Sequence, residues 1–255
     1  MRAADRSKKI LELLDARGMV LVKDLSVMLQ VTEETIRRDL DKIEATNPDI
    51  QRIHGGAYRR NGLDSEVPVE IRETLYLNEK RDIAEFCLSQ IKRGSSIMLD
   101  ASSTALCIAS LIRQNELEVN VITNSLRIVQ AFENYNQAQV ICIGGIFRSR
   151  SNSFIGHLAV SNLASYHADL SFVSCSGANQ DFGVTDHNES EAQVRRKMLK
   201  NADKSFLIVD YTKLGRCCLN RIATFDELHC LVTNSSAPED WKAFFQQQNI
   251  PVVYC

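Results

Sequence analysis

The chain has 255 residues, of which 44% are hydrophobic and 24% are charged, and its formal net charge is −2. This composition is typical of a globular protein with one large or two smaller domains, and it argues against collagen-like, coiled-coil and disordered classes. No apolar run approaches the roughly 20 residues that span a bilayer, and the polar N-terminus has no signal-peptide pattern, so we expect a cytoplasmic protein.

Eight cysteines are scattered along the chain without a CxxC pair, and most lie in apolar runs such as residues 140–143. We interpret them as reduced, mostly buried thiols. The five histidines show no metal-ligand spacing with the cysteines. We therefore predict no metal site, and nothing in the sequence indicates a cofactor.

Three short amphipathic segments open the chain, at residues 7–17, 22–30 and 32–45. The first stops at Gly18 and is followed by a short extended piece. The second is expected to turn Leu25, Met28 and Leu29 inward. Three short helices with a tight turn between the last two predict a helix-turn-helix over about residues 20–45.

The third segment is predicted to be the helix that enters the major groove. It begins at an N-cap threonine, and Ile36, Leu40 and Ile43 recur at helical spacing as one apolar stripe. Polar side chains fall opposite this stripe or on its flanks, where they can reach base edges and phosphates. A solvated surface helix is the alternative interpretation of this segment taken alone. The predicted DNA-contacting residues of this helix are Thr32, Glu34, Thr35, Arg37, Arg38 and Lys42.

Residues 50–57 alternate in polarity and break at Gly55 and Gly56. This pattern predicts a small β-wing that carries Arg52 and His54 to the phosphate backbone. Residues 1–60 hold 12 Lys or Arg and 10 Asp or Glu, so the basic excess lies at the N-terminal end. These elements together predict a winged helix-turn-helix DNA-binding domain over residues 1–60.

Residues 61–78 are predicted to be a linker and the start of a connecting helix. From residue 79 to residue 255 we predict an α/β domain with a mostly parallel sheet and helices on both faces, because aliphatic strand patterns alternate with helical ones. The predicted strands are 96–100, 119–123, 139–143, 170–174, 206–210, 228–232 and 251–254. The predicted helices between them are 103–114, 126–134, 155–165, 189–201 and 239–248. The chain is thus expected to be multi-domain, with a small, mostly α, winged domain followed by a larger α/β domain.

Small polar residues follow the first strands of this predicted sheet. Ligands bind beyond the carboxyl ends of parallel strands, and a helix N-terminus there suits a phosphate. Ordinary capping and turn chemistry can explain each turn separately, but several such turns on one rim favour a ligand site. The candidate residues are Asp100, Ser102, Ser103, Thr104, Thr123, Asn124, Ser125, Gly144 and Gly145.

Three charged residues further along the chain are added to this candidate site. Glu189 and Glu191 could hold sugar hydroxyls, and Lys213 could hold a phosphate or a hydroxyl. The rest of the charged helix 189–200 is expected to be a solvated face.

The runs 35–40 and 52–57 resemble the winged helix-turn-helix of the DeoR family of bacterial sugar-metabolism regulators. The runs 100–104, 123–125, 144–145, 154–156, 183–185 and 210–215 resemble the effector domain of the same family, so the resemblance covers nearly the whole chain. It implies an effector domain similar in fold to ribose-5-phosphate isomerase that senses a phosphorylated sugar or a related metabolite. By position, residues 100–104 would cradle the phosphate with 123–125 and 144–145 beside them. Glu189, Glu191 and Lys213 would face the sugar.

Two functions from different classes are compatible with these patterns. The first is a DNA-binding transcriptional repressor of a sugar operon whose operator binding is modulated by a phosphorylated sugar, acting as a homodimer or homotetramer because such modules read paired half-sites. The alternative is a sugar-phosphate isomerase-like enzyme, which needs a carboxylate base and a group that stabilises an enediolate. Asp186, Glu189, Glu191 and Lys213 supply these residue types without a recognisable catalytic arrangement. We therefore expect a regulator and not an enzyme.

Overall fold

The computed structural model describes residues 2–53, 55–59 and 67–255, apart from the side chain of Arg17. Contacts divide the chain into two units, Met1–Val67 and Pro68–Cys255. The division lies inside the predicted linker: residues 68–78 belong to the second unit, where Val69, Ile71 and Leu75 are buried. Residues 61–66 of that linker lie outside the described residues.

The described residues of the first unit form three helices and a three-stranded antiparallel sheet in the order β1-β3-β2. Its elements are α1 (Ala3–Arg17), β1 (Met19–Leu21), α2 (Val22–Leu29), α3 (Glu33–Thr46), β2 (Ile50–Ile53) and β3 (Gly56–Arg59). The predicted third helix and wing are therefore present as α3 and the β2–β3 hairpin. The first helix begins four residues before the predicted start.

Local sequence signals account for the ends of these helices. Gly18 terminates α1 in the left-handed conformation, with φ of 73°, and its N–H donates to the carbonyl of Leu14. Thr32 caps α3, because its hydroxyl accepts a hydrogen bond from the N–H of Thr35 at 3.3 Å.

The apolar stripe of α3 is buried as predicted, but that of α2 is narrower than predicted. Ile36, Leu40 and Ile43 are buried in the core of the first unit. Met28, which was expected to point inward, is 46% exposed. At 100° per residue it lies about 90° around α2 from the mean direction of Val22, Leu25 and Leu29, so it falls outside the face that packs on the core.

An ion pair is buried between α1 and α3. The guanidinium of Arg6 contacts both carboxylate oxygens of Asp39, with the Nη2–Oδ1 distance at 3.1 Å, and both side chains are almost fully buried. Asp39 therefore shares the inner face of α3 with Ile36 and Leu40. Burying two charges costs several kcal/mol, which is recovered only when each charge has its partner.

The second unit is built on a seven-stranded sheet in the order β15-β14-β12-β9-β4-β5-β6, and all six neighbouring pairs are parallel. Its strands are β4 (Ser96–Leu99), β5 (Val119–Thr123), β6 (Ala138–Cys142), β9 (Ala168–Val173), β12 (Ala202–Ile208), β14 (Cys230–Thr233) and β15 (Val252–Tyr254). Its helices are α4 (Val69–Arg72), α5 (Leu77–Gln90), α6 (Ser103–Gln114), α7 (Leu126–Ala131), α8 (His157–Leu163), α9 (Glu189–Lys200) and α10 (Glu239–Gln247). Each of the seven predicted strands corresponds to one strand of this sheet.

Short antiparallel elements lie outside the sheet, and the sequence patterns did not predict them. They are the hairpin of β7 (Ile146–Arg148) and β8 (Ser153–Ile155), and a small sheet of β10 (Gly177–Asn179), β11 (Gly183–Asp186) and β13 (Asn220–Ala223). The predicted helix 155–165 is correspondingly shorter, since α8 begins only after β8 has ended. These strands are short and, unlike β4, β14 and β15, contain no run of apolar residues, so neither alternation nor an aliphatic run marks them.

Apolar side chains cover both faces of the large sheet. Met98 and Leu207 pack on one face with α9 and α10, including Trp241. Ile97 and Phe172 pack on the other face with residues of α5, α6 and α7. The predicted α/β architecture, with helices on both faces, is confirmed.

All eight cysteines are free, and three of them, Cys87, Cys175 and Cys230, are buried. Cys142, which lies in an apolar run, is exposed because it is at the end of the edge strand β6. In the part of the chain that the structure describes, no helix is long and apolar enough to cross a bilayer.

The buried ion pair of the first unit leads to a stability prediction. Asp39→Asn should lower the free energy of unfolding of this unit by about 3–5 kcal/mol, because it leaves the charge of Arg6 buried without its carboxylate. The change is measured by hydrogen exchange of the α3 amides in the full chain. Glu33→Gln, which breaks the exposed pair with Arg37, is the control and should cost less than about 1 kcal/mol. Equal protection in the two variants would contradict the prediction.

Candidate functional site

The outer face of α3 presents the predicted DNA-contacting side chains to solvent. Arg38 has 75% of its side chain exposed and pairs only loosely with Glu34, at 3.2 Å. Arg37, one residue earlier, pairs with Glu33 at 2.6 Å, and both of these side chains are about half exposed. Exposed pairs four residues apart contribute only a few tenths of a kcal/mol, so a phosphate or a base edge can displace the carboxylates at little cost.

The remaining predicted residues of this helix also lie on or beside that face. Thr32, Glu34 and Lys42 are exposed, whereas Thr35 is half-buried and shares a hydrogen bond with the hydroxyl of Thr32 at 2.9 Å. The two threonines therefore stabilise the start of the helix, and this role is independent of any contact to DNA.

Arg52 was predicted to be carried by the wing to the phosphate backbone, but its side chain turns inward to other residues of the first unit. Its Nε donates to Asp41 of α3 at 3.0 Å, and its Nη1 donates to the carbonyl of Gly56 at 2.7 Å. The guanidinium thus ties β2 to α3 and to β3, which fixes the wing against the helix. His54, the other predicted wing contact, lies outside the described residues.

In the second unit, the strand order reverses between β4 and β9. From β4 the chain proceeds outward to β5 and β6, and it then returns to the other side of β4 at β9. At such a switch point the connections leave in opposite directions and open a crevice beyond the carboxyl ends of the strands. Asp100 follows β4 directly at this crevice, and Ser174 follows β9.

A buried guanidinium occupies the centre of this region. Arg195 of α9 is 4% exposed and forms ion pairs with Asp100 at 2.8 Å, with Asp186, and with Glu191 at 3.2 Å. Arg148 from β7 donates to the other oxygen of Glu191 at 3.1 Å. We call these five residues the Arg195 cluster; in it three carboxylates share two guanidinium groups.

Arg195 and Glu191 keep their charges although both are buried. Burial acts to lower the pKa of Arg195, but the three carboxylates outweigh it and hold the pKa well above the ordinary value. Burial likewise acts to raise the pKa of Glu191, but Arg195, the hydroxyl of Ser151 and Arg148 bring the pKa below its usual range. The Glu191 carboxylate is therefore a hydrogen-bond acceptor in this site.

The prediction that the rest of helix 189–200 forms a solvated face is wrong for Arg195. In α9 the buried positions include Glu191, Val194, Arg195 and Met198, spaced three and four residues apart. This spacing places Arg195 on the side that packs on the sheet. Glu189 lies on the outer side, where it is exposed and binds Arg196 through both oxygens at 3.0 and 3.1 Å. The structure therefore brings Glu191, and not Glu189, to Asp100.

Several predicted hydroxyls already serve the local backbone. The hydroxyl of Ser102 accepts from the N–H of Ala105 and caps α6, and that of Ser125 accepts from Ile128 and caps α7. Thr123 accepts from the N–H of Ser125 at 3.0 Å. All three are buried, so the capping and turn explanation holds for their oxygens. Ser103 and Thr104 are buried at the start of α6.

Asn124 and Gly145 are both engaged with the β8 hairpin strand. The amide of Asn124 donates to the carbonyl of Phe154 at 2.9 Å. A Cβ on Gly145 would lie 2.6 Å from the carbonyl oxygen of Ile155, so close packing of β8 already requires glycine at this position. Gly144 is exposed, and a Cβ there would meet open space.

Lys213 is half-buried in the single-turn 3-10 helix Tyr211–Lys213, which Asp210 caps through the N–H of Thr212. Burial lowers the pKa of Lys213; Asp210 opposes this effect, whereas Arg72 and Arg216 add to it. Lys213 and Arg195 both act electrostatically on the buried thiol of Cys175, which follows Ser174. Lys213 follows β12, whose carboxyl end lies at the same edge of the parallel sheet as that of β4.

Residues 68–80, which we call the connecting segment, pack along the same rim of the sheet. Glu73 binds Arg127 of α7 through both carboxylate oxygens, with one distance at 2.8 Å, and Glu70 accepts from Asn152 at 2.6 Å. The ring of Tyr76 meets that of Tyr211 edge to face. The segment thus contacts the ends of β5, β8 and β12.

Lys80 holds the connecting segment in this position. Its ammonium donates to the carbonyls of Arg72 and Leu75, the latter at 2.5 Å, and the side chain is almost fully buried. Asn234, beyond β14, donates to the carbonyl of Glu79 at 3.0 Å. The sequence patterns missed Lys80, Arg148 and Arg195 as site residues; only the i, i+4 pairing of Glu191 with Arg195 beside apolar positions 194 and 198 could have indicated one of them.

Comparisons with known proteins agree with this two-unit arrangement. Residues 6–61 match the model of the DeoR-like helix-turn-helix domain, and residues 76–235 match that of the DeoR C terminal sensor domain. The chain is 37% identical over 235 residues to the "Uncharacterized HTH-type transcriptional regulator YulB" of Bacillus subtilis (strain 168), covering 92% of this chain and 90% of that protein. It is 33% identical to the "L-fucose operon activator" of Escherichia coli (strain K12), covering 92% of this chain and 96% of that protein.

Among solved structures, that of ribose 5-phosphate isomerase A from Methanocaldococcus jannaschii is similar with a TM-score of 0.39 and 20% identity, covering 53% of each chain. A likeness this low carries no conclusion about substrate or activity. The assignment of function depends on the sequence relatives and on the geometry of the two units.

The buried ammonium of Lys80 gives a pH prediction. Burial lowers its pKa to about 8, and the charges of Lys213 and Arg72 act in the same direction while Asp210 opposes them. In the unfolded chain a lysine titrates near about 10.4. Between these values the unfolded chain binds more protons, so stability rises with pH through this window. From pH 7 to pH 10, the thermal midpoint of the wild type should therefore rise relative to that of Lys80→Met.

Lys92→Met, which removes an exposed lysine, is the control. Parallel curves for wild type and Lys80→Met would show that Lys80 does not titrate there.

Proposed function

We propose the following function for this chain, which belongs to the DeoR family of DNA-binding transcriptional regulators. It represses a sugar or sugar-derivative catabolic operon, and a phosphorylated sugar bound at the carboxyl edge of the large sheet changes its affinity for the operator. The protein acts as a homodimer or homotetramer in the cytoplasm and associates with the nucleoid when it is bound to DNA.

One observation carries this proposal: the connecting segment that follows the DNA-binding unit in the chain is packed on the rim of the candidate ligand site. Its anchors, Glu73 with Arg127 and Lys80 with the carbonyls of Arg72 and Leu75, lie beside α7 and Lys213. A ligand that binds one arrangement of this segment better than another shifts the balance between them. A difference in ligand affinity of about 1–3 kcal/mol between the two states suffices for regulation.

The contacts to DNA are assigned to the outer face of α3 and to the wing. Arg37, Arg38 and Lys42 reach phosphates or base edges, with Thr32, Glu34 and Thr35 beside them at the start of the helix. Arg52 contributes by holding the wing against α3, and His54 remains a candidate contact of the wing. These roles fit a module whose recognition helix is held to its support by a buried core and a buried ion pair.

The contacts to the effector are assigned to the rim of the second unit. The first turn of α6, with Ser103 and Thr104, offers backbone N–H groups to an anion, and Lys213 offers a nearby positive charge. Ser102, Thr123, Asn124, Ser125 and the glycines 144–145 shape the surrounding turns. Asp100 and Glu191, both members of the Arg195 cluster, are assigned to contact the effector. Glu189 is held outside the cluster by Arg196.

An isomerase-like enzyme is the second function considered. Its acid–base chemistry needs a carboxylate that can accept a proton from a substrate carbon. Glu191 and Asp186 are instead held as acceptors by Arg195, which favours a binding role, and the sequence relatives are named as regulators. Turnover of aldose phosphates by the purified protein would favour the enzyme.

The recognition role of α3 is tested with Arg38→Ala. This variant should abolish specific operator binding, a loss of at least about 1–3 kcal/mol, because a bidentate contact to a base is removed while the apolar stripe of α3 stays intact. Binding is measured by fluorescence anisotropy on DNA from upstream of the gene, and folding by circular dichroism. Arg93→Ala removes an equally exposed arginine from the second unit and is the matched control. Specific binding at wild-type strength in Arg38→Ala would refute the role.

The regulatory mechanism is tested by titrating the same complex with a panel of sugar phosphates. One compound should weaken the salt-sensitive specific complex, and the same compound should relieve repression of a reporter in cells. Specific binding that no compound changes would refute the proposed effector class. A reporter that loses expression when the regulator is deleted would show activation in place of repression.

A further inference from the structure

Two buried acceptor oxygens belong to the residues that directly follow β4 and β5. In the region that the structure describes, neither Oδ1 of Asp100 nor Oδ1 of Asn124 accepts a hydrogen bond. Asp100 is 1% exposed and Asn124 is 3% exposed. A buried acceptor without a donor is energetically costly, so native structures keep few of them without a functional reason.

Continuing the strand register by one residue places these two side chains on the same side of the sheet. Leu99 of β4 pairs with Thr123 of β5 as the last residues of a parallel ladder, and Asp100 and Asn124 are the next residues of the two strands. Paired residues of neighbouring strands point to the same face, about 4.8 Å apart. Contacts identify that face: Asp100 binds Arg195 of α9, and Asn124 binds the backbone of β8.

The other polar atoms of both side chains are fixed. Oδ2 of Asp100 accepts from the N–H of Ser174 at 3.1 Å and from Nε of Arg195 at 2.8 Å. Nδ2 of Asn124 donates to the carbonyl of Phe154, which settles the orientation of its amide. The two free oxygens are therefore held in position before any ligand arrives, and little reorganisation is needed for binding.

The chemistry of this pair selects the group it can bind. A carboxylate oxygen and an amide oxygen only accept hydrogen bonds, so they match O–H donors and offer no donor to the oxygens of a phosphate. We propose that Asp100 and Asn124 bind two hydroxyl groups of the effector, and that the phosphate of the same molecule lies away from them, towards α6 and Lys213. The inference rests on the proposed function and divides the run 100–104, which the family resemblance assigned as a whole to the phosphate.

This arrangement makes the site selective for polyhydroxylated ligands. A hydroxyl that donates to a buried carboxylate contributes about 1.5–3 kcal/mol, and its removal leaves Oδ1 of Asp100 desolvated without a partner. A deoxy analogue should therefore bind about 10- to 100-fold more weakly when the missing hydroxyl is the one that Asp100 binds. A missing hydroxyl elsewhere on the sugar should cost much less.

The test uses the full-length protein and calorimetry. A panel of aldose, ketose and alditol phosphates is first screened by thermal shift, and the tightest binder is compared with its monodeoxy analogues, each lacking one hydroxyl. We expect one or two of these analogues to bind at least about 10-fold more weakly than the parent. In Asn124→Ala, the discrimination against one of those analogues should fall to about twofold. Ser171→Ala, which removes another buried hydroxyl without a hydrogen-bond partner, lies inside β9 and should leave every ratio unchanged.

The outcomes separate this inference from the function on which it rests. If a sugar phosphate binds and all its monodeoxy analogues bind within about twofold of it, the inference is wrong while the proposed effector class stands. If no compound of the panel binds, the proposed effector class fails and the inference fails with it. The comparison of analogues needs no mutation, so it remains decisive even where Asn124→Ala or Asp100→Asn does not fold.

Discussion

The ion pairs of Arg195 are the interaction on which the candidate ligand site depends. One guanidinium joins α9 to the end of β4 through Asp100 and to the end of β11 through Asp186. Glu191 extends the cluster to Arg148 of the β7–β8 hairpin. Because each buried charge would cost several kcal/mol without its partners, these elements can keep their positions only together. The cluster therefore sets the geometry of the switch point between β4 and β9, and it leaves one carboxylate oxygen ready for a ligand.

A second constraint links this site to the rest of the chain. The connecting segment is held at the same rim by Glu73, Tyr76 and Lys80, and the anchor of Lys80 is a desolvated ammonium. Val69, Ile71 and Leu75 also bury apolar side chains, but the polar anchors are the contacts for which a ligand at this rim can compete. This is the physical basis for assigning a signalling role to residues 68–80 under the proposed function.

Both units contain buried ion pairs, but these have different roles in the two units. In the first unit the buried pair of Arg6 and Asp39 joins α1 to the inner face of α3, so that the opposite face is presented to solvent with its arginines only weakly paired. In the second unit the buried charges of the Arg195 cluster line the candidate ligand site, and one carboxylate oxygen there accepts no hydrogen bond from a described residue. Buried charges stabilise orientation in both cases, but only the second arrangement leaves acceptor oxygens without protein donors among the described residues.

The sequence by itself determined the elements and their order. Helical spacing of Ile36, Leu40 and Ile43, the cap at Thr32 and the stop at Gly18 are local signals, and the seven aliphatic runs correspond to the seven strands of the parallel sheet. Only the tertiary structure decided which polar residues meet. Arg195 finds Asp100 across 95 positions of sequence, Arg52 turns back to Asp41, and residues 146–155 form a hairpin whose strands are too short to show a period. Periodicity reports which face of an element is apolar, but the partner of a buried charge is set by how elements pack, and that information is not local to any stretch of the chain.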